Sequence, residues 1–364
     1  MSMRLPAKQF ELGSTPSGGD IPEPKPETHC YRRHHYRCHT CRRQVHGRAD
    51  LDVPGSTVGP RVRLLSVYSR AMLGISLGKT TTLLEDLFGI RLSRAAALGH
   101  LRWFANLFDP VVRELLDLLK QAPVVHADET GWRIDGKNVW CWLFANPKIA
   151  VFLIDHHRSR EVVERALGSS LPGVLVTDFY AAYHRLEAKK QRCLTHLLRD
   201  LAKLREELPA RLVAKNIQPL IDLFQDAITL ARRREELSPD EFASEADQIR
   251  ERFDERWWRS SSDPDCQRIY DRLRRHKEEL LTFLDDPAVP AEKNLAERDI
   301  RSVAAARSDG GVNRAAWSAD AFAVAKTIVR TCQKNGLNFF RCALHAVTSR
   351  MPNQPLPLPI SEAA

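Results

Sequence analysis

Two apolar, β-branched runs that each end on an aspartate, and the order of the elements between them, predict an α/β fold built on a mixed sheet. The rhythm of residues 122–178 predicts strands over 123–128, 139–145 and 149–155, a helix over 159–167 and a strand over 173–178. Ser159 is placed to cap that helix and Gly168 to close it. The first three strands read as a meander. The helix then returns the chain so that the last strand lies parallel to the first. A β-β-β-α-β order with one acid on the first strand and another on the fourth is the core of a ribonuclease H-like fold.

The rest of the chain is organised around that core. Residues 1–27 are rich in Pro, Gly and charge and read as a flexible lead. Residues 28–60 form a basic, partial zinc-ribbon-like segment; within it, 29–48 carries six arginines, five histidines and no acid, and 54–60 reads as a linker. Residues 61–121 are helical in period, with Leu101, Phe104, Leu107, Val111, Leu115 and Leu118 at three- and four-residue steps. Gly89 and the cap candidate Ser93 divide this stretch in the outline of a helix-turn-helix DNA-binding region or of an ordinary helical hairpin. The α/β core is expected over 122–348, with a long helical stretch over about 195–290, and 349–364 reads as a flexible tail. Within that helical stretch, Arg252, Arg256, Trp257, Trp258 and Arg259 read either as a nucleic-acid clamp or, more commonly for such a pair, as buried tryptophans.

With 364 residues the chain can bury a sizeable core. Its 55 Lys+Arg against 46 Asp+Glu, a formal net charge of +9, favour a polyanionic partner. No run of about 18 apolar residues is present, which argues against a membrane span. The N-terminal stretch lacks the apolar centre of a secretion signal, and eight scattered cysteines fit a reducing, cytoplasmic setting.

The chemistry-bearing residues begin with Asp128 and Asp178. A carboxylate at the end of a buried strand is costly unless compensated. Two of them, 50 residues apart and delivered by separate strands, fit a site for divalent metal. Taken singly, each reads as well as a helix cap or the partner of an arginine. Two-metal phosphodiester chemistry needs about three carboxylates around cations roughly 4 Å apart, and oxygen ligands suit Mg²⁺ or Mn²⁺. The third carboxylate must come from a later element.

Four motifs in order, HADETGW (126–132), TDFYAAY (177–183), CLTHLLRDL (193–201) and NLAERDIR (294–301), resemble transposases of the bacterial insertion sequence 66 family, and the similarity extends through TCQKNGLN (331–338). The resemblance implies a DDE-type ribonuclease H-like domain interrupted by a helical insertion between the second aspartate and the glutamate. The 119-residue gap from Asp178 to Glu297 fits such an insertion. It implies cutting and joining of double-stranded DNA at the ends of a mobile element and at its target, with self-assembly on DNA. It also implies Asp128, Asp178 and Glu297 as the catalytic, Mg²⁺- or Mn²⁺-binding residues. Glu292, just after Pro290, has a duller role as a first-turn acid, and Asp299 as a surface partner of an arginine.

Cys193 and His196 form a Cys-x-x-His pair without two further ligands nearby in sequence, which favours a structural role beside the site, with His196 contacting DNA. Cys38 and Cys41 match half of a zinc ribbon; Cys30 with His29, His34 or His35 is the candidate for the other half. Arg32, Arg33, Arg37, Arg42, Arg43, Arg298 and Arg301 complete the expected DNA contacts. The GISLGKT stretch (74–80) is too short between its glycines for a phosphate-binding loop, and no buried strand precedes it. After NLAERDIR, alanines 304–306 stand where the family commonly carries lysines, which points to a truncated or degenerate copy. Two further readings compete with an active transposase: a catalytically defective protein that binds element ends, and a two-metal nuclease of the same fold.

Overall fold

The computed structural model describes residues 23–32, 34–46, 56–310, 313–348 and 356–360. Most of the expected lead and tail, residues 54–55 of the linker, and Arg33 and Arg48 therefore lie outside the described residues.

The chain begins with a small antiparallel pair, β1 (His35–Arg37) and β2 (Gln44–His46). Three helices follow: α1 (Pro60–Ala71), α2 (Leu77–Phe88) and α3 (Arg94–Lys120). Ser76 and Ser93 cap α2 and α3 by accepting from the amides of Lys79 and Ala96, and Gly89 closes α2 at a φ of 61°. Strands β3 (Val124–Ile134), β4 (Lys137–Ala145) and β5 (Ala150–Asp155) form the expected meander. Helix α4 (Arg160–Leu167) then leads to β6 (Ser170–Thr177) and β7 (Glu187–Arg192). Gly168, at a φ of 87°, closes α4, whereas Ser159 makes no side-chain capping bond. The helical insertion comprises α5 (Leu194–Glu207), α6 (Ala210–Leu212), α7 (Gln218–Arg232), α8 (Pro239–Asp254) and α9 (Pro264–His276). Helices α10 (Asn294–Gly310), α11 (Ala316–Lys334) and α12 (Phe339–Thr348) complete the fold.

The five-stranded sheet has the order β5-β4-β3-β6-β7, antiparallel on the meander side and parallel from β3 to β7. Two differences from the sequence reading stand out. First, β3 runs on to Ile134 and turns into β4 through Asp135-Gly136, both with positive φ, the signature of a two-residue hairpin. Asp128 is therefore mid-strand, two residues beyond His126, where the pairing of β3 with β6 ends. Second, β7 was not expected, because its sequence EAKKQR has no apolar alternation.

Side chains of β3 alternate between faces, as a period of two requires. Val125 and Ala127 enter a core shared with α1, α3, α4, α11 and α12. Val124 on the opposite face joins Val174, Val176 and the insertion helices, while Trp132 and Ile134 on that same face join α10 and the start of α11. Asp128 belongs to this second face, between those two cores.

Both sheet edges are covered. Thr327 and Thr331, one turn apart on α11, accept from the outward amides of Phe152 (2.9 Å) and Ala150 (3.3 Å) on β5. On β7, Gln191 accepts from the Phe283 amide at 3.0 Å, and Thr282 donates to the Lys190 carbonyl at 2.7 Å. The insertion thus satisfies backbone groups that an open edge would expose.

Candidate active site

Strands β3 and β6 pair in parallel with His126 opposite Val176, so two residues further on Asp128 and Asp178 face each other. Gly173 helps fix this register. A Cβ there would fall against the carbonyl oxygens of Ala122 and Pro123, so only glycine lets β6 approach β3 so closely. The pairing of β6 with β7 slips between Ser170 and Val174, the same place at which the regular ladder to the site begins.

Both carboxylates touch one ammonium: Lys293 Nζ lies 2.8 Å from Asp128 Oδ1 and 3.3 Å from Asp178 Oδ2. The two acids are therefore no farther apart than those contacts laid end to end. Lys293 precedes α10 and is buried, as is Asp128. Its backbone is anchored on both sides: its amide donates to Cys193 Sγ at 3.4 Å, and its carbonyl accepts from Glu297 N at 3.1 Å. Asp178 Oδ1 accepts the Tyr180 amide at 2.9 Å, and its carbonyl accepts from Arg192 at 2.6 Å.

The environment drives the two aspartates apart in acidity. Burial raises the Asp128 pKa, and the Lys293 charge offsets only part of that. Burial also acts upward on Asp178, but the Lys293 charge and the Tyr180 amide outweigh it and the net shift is downward. For Lys293, burial alone would lower the pKa; the two aspartate charges reverse the sign. Neighbouring acids pushed in opposite directions are a common mark of a functional site.

Glu129, adjacent to Asp128 in sequence, points to the other face. It pairs there with Arg158 at 2.6 Å and accepts from the buried Tyr183 hydroxyl. Arg158 also lies over the rings of Trp140 and Tyr180. The TDFYAAY motif thus supplies Asp178 to one side of the sheet and Tyr183 to the other.

Glu297 stands in the first turn of α10, beside the packed residues Ala296 and Ile300. Its carboxylate meets His196 Nδ1 at 3.9 Å and the mostly exposed Arg301 at 3.8 Å. Cys193, His196 and Glu297 bring one ligand atom each within 4.8 Å of one another; among the described residues this is the one such trio of potential metal ligands. Sequence spacing had offered no further partner for the Cys-x-x-His pair; Glu297 is that neighbour. Burial raises the Cys193 pKa, and its Sγ accepts the Lys293 amide. His196 Nδ1 is buried without a hydrogen-bond partner.

The other acids near the motif have separate partners. Glu292 meets Arg232 at 3.8 Å, on the insertion side. Asp299 pairs with Arg330 at 2.6 Å and Lys334 at 2.8 Å, but in the interior rather than on the surface as expected. Trp258 is exposed and Trp257 half-buried under Lys277, so the two do not form a buried pair.

In the N-terminal hairpin, Cys38 and Cys41 flank a tight turn in which the Cys38 amide donates to the Arg43 carbonyl and its carbonyl accepts from the Arg42 amide, both at 2.9 Å. Backbone amides of Cys41 and Thr40 lower the Cys38 thiol pKa, which favours the thiolate a metal requires. Cys30, Cys38 and Cys41 are exposed, and among the described residues they do not form a three-ligand cluster. Arg32, Arg37, Arg42 and Arg43 are exposed around this turn, and Arg298 and Arg301 are exposed on α10.

Lys293, Glu129, Arg158 and Tyr183 escaped the sequence reading. Lys293 carries the only signal that could have found it, four residues before Glu297 at the mouth of a helix. Among the described residues, no helix is long and apolar enough to cross a membrane. The sequence model of the transposase IS66 family matches residues 55–321. No curated protein matches the chain.

Proposed function

Because the chain belongs to the IS66 family of transposases, we propose that it cuts and joins double-stranded DNA at element ends from a ribonuclease H-like core. Asp128, Asp178 and Glu297 are its catalytic carboxylates. The observation that carries this reading is the delivery of Asp128 and Asp178, by paired parallel strands, to a single cationic group. The Lys293 ammonium stands in for a cation there, and the oxygen-only donors of the aspartate pair fit Mg²⁺ or Mn²⁺. Asp128 and Asp178 would hold that ion, with Glu297 completing the set from α10. A bound divalent ion would lower the pKa of the attacking water or hydroxyl and stabilise the leaving oxygen.

The chain's own residues do the positioning. Gly173 and the β3–β6 register align the aspartates, and the Tyr180 amide and Arg192 fix Asp178. His196 beside Glu297, and the exposed Arg298 and Arg301, would meet the phosphate backbone. The basic segment around Arg32, Arg33, Arg37, Arg42 and Arg43 adds sequence-independent affinity, with Cys38, Cys41 and Cys30 as candidate zinc ligands. Helices α2 and α3 would contribute the further DNA contact of a helix-turn-helix. Copies assemble on DNA to bring two ends together, in the cytoplasm.

The test is a supercoiled plasmid carrying the inverted ends that flank the coding region, incubated with the protein and Mg²⁺. End-specific nicking and joining are expected; cutting without end preference would replace the transposase with a nuclease of the same fold. One observation favours a second reading, an end-binding protein without cutting: Lys293 fills the cation position. Binding to ends without any nicking, in Mg²⁺ and in Mn²⁺, would support it.

A further inference from the structure

We propose that Lys293 is a built-in competitor of the divalent ion: its ammonium holds the position between Asp128 and Asp178, and an ion can load only by displacing it. The inference rests on the reading of Asp128 and Asp178 as the cation site.

The ammonium and an ion would compete for the same carboxylate oxygens. Nζ already lies 2.8 Å and 3.3 Å from the two carboxylates that the ion would bridge. Mg²⁺ ligands stand at about 2.0–2.1 Å, so an ion between the same oxygens would press against the ammonium. Charge leads to the same conclusion. Two carboxylates with one ammonium retain an excess negative charge, whereas a divalent ion balances the pair. Without an ion, the buried Asp128 and the half-buried Asp178 beside it would repel, and Lys293 relieves that repulsion. The lysine thus stabilises the ion-free fold and weakens the loaded one. The main chain at Lys293 is tied to Cys193 and Glu297, so displacement of the ammonium falls to its buried four-carbon side chain.

The residual negative charge makes Lys293 distinct from the lysine of a balanced structural ion pair. It lies where the insertion core meets the core under α10, so the position it holds borders two packed bodies rather than the inside of one.

The test is Mn²⁺ binding by titration calorimetry, on the full chain without DNA. It compares wild type, Lys293→Gln, Lys293→Arg, and Lys293→Gln combined with Asp128→Asn. Nearby opposite charges shift carboxylate proton affinity by about 1–3 pKa units, so Lys293→Gln should bind Mn²⁺ roughly tenfold or more tightly than wild type. Lys293→Arg should remain weak, and the double variant should lose the gain. Lys293→Met provides a second uncharged side chain should Lys293→Gln not fold, and Mn²⁺ should raise the melting temperature of either more than that of wild type. Equal affinity in wild type and the uncharged variants, abolished by Asp128→Asn, would overturn the competition while leaving the cation site in place. Absence of Mn²⁺ binding in all of them would overturn both.

Discussion

Two buried ion clusters flank the first turns of α10, and they balance charge in opposite ways. Lys293 lies between Asp128 and Asp178, one base to two acids; six residues on, Asp299 lies between Arg330 and Lys334, one acid to two bases. The Asp299 cluster joins α10 to α11 and leaves no unmet negative charge. The Lys293 cluster joins two strands to the mouth of α10 and retains an excess of carboxylate, in the seam between two cores. Both would count as buried salt bridges. In the proposed reading, the residual sign separates a fastening from a place for a divalent cation.

The largest effect on stability is expected at the fastening. Asp299→Asn leaves Arg330 and Lys334 facing each other without their counter-charge, a loss of about 3–5 kcal/mol in denaturant unfolding. A variant as stable as wild type would erase the contrast between the clusters. Asp128→Asn should act the other way round. Its stability change should be well below that of Asp299→Asn, because Lys293 keeps Asp178. Mg²⁺-dependent nicking should fall by more than the roughly 100-fold that outer-shell ligands cost, with DNA binding retained in a gel-shift assay.

A third cluster sharpens the comparison through pH. Glu279 meets Arg192 at 2.6 Å and His276 at 2.7 Å, tying β7 to the insertion. Burial raises its pKa, but the bonds from His276 and Arg192 outweigh that and hold it at about 2, below the ordinary 4.5. A depressed acid stabilises the fold fully above its unfolded pKa. That contribution, of order a few kcal/mol, is lost as pH falls from about 4.5 toward 2. Glu279→Gln should flatten the acid limb of a stability-against-pH curve, and an unchanged limb would show that this cluster does not set it. The smallest effect on the core is expected from deleting residues 29–48, which carry six arginines. Non-specific DNA binding should lose much of its salt dependence while the unfolding midpoint of the remaining chain holds; an unchanged salt slope would show that this segment does not touch phosphate.

The aspartates were legible because each ends an apolar run, and such runs specify buried strands. The meander, α4 and β6 followed from the same periodicity within about three residues, apart from the end of β3, which runs six residues further to Ile134. Strand β7 did not, because an edge strand that buries Lys190, Gln191 and Arg192 through ion pairs and hydrogen bonds carries no apolar alternation. Nor did Lys293, which lies 165 residues from Asp128 in a loop without periodicity. Asp299 misled for a related reason. Its neighbours in sequence suggest a surface pair, and only the packing of α11 beside it encloses the cluster. Charges fixed by tertiary contact leave no local pattern.

The central claim is that a divalent ion belongs between Asp128 and Asp178. Crystals grown with MnCl₂ and measured at the manganese absorption edge test it most directly. The account predicts an anomalous peak in coordination contact with both carboxylates, with the Lys293 ammonium moved away from them. Manganese bound at Cys193, His196 and Glu297 alone, with Lys293 still holding both aspartates, would contradict it.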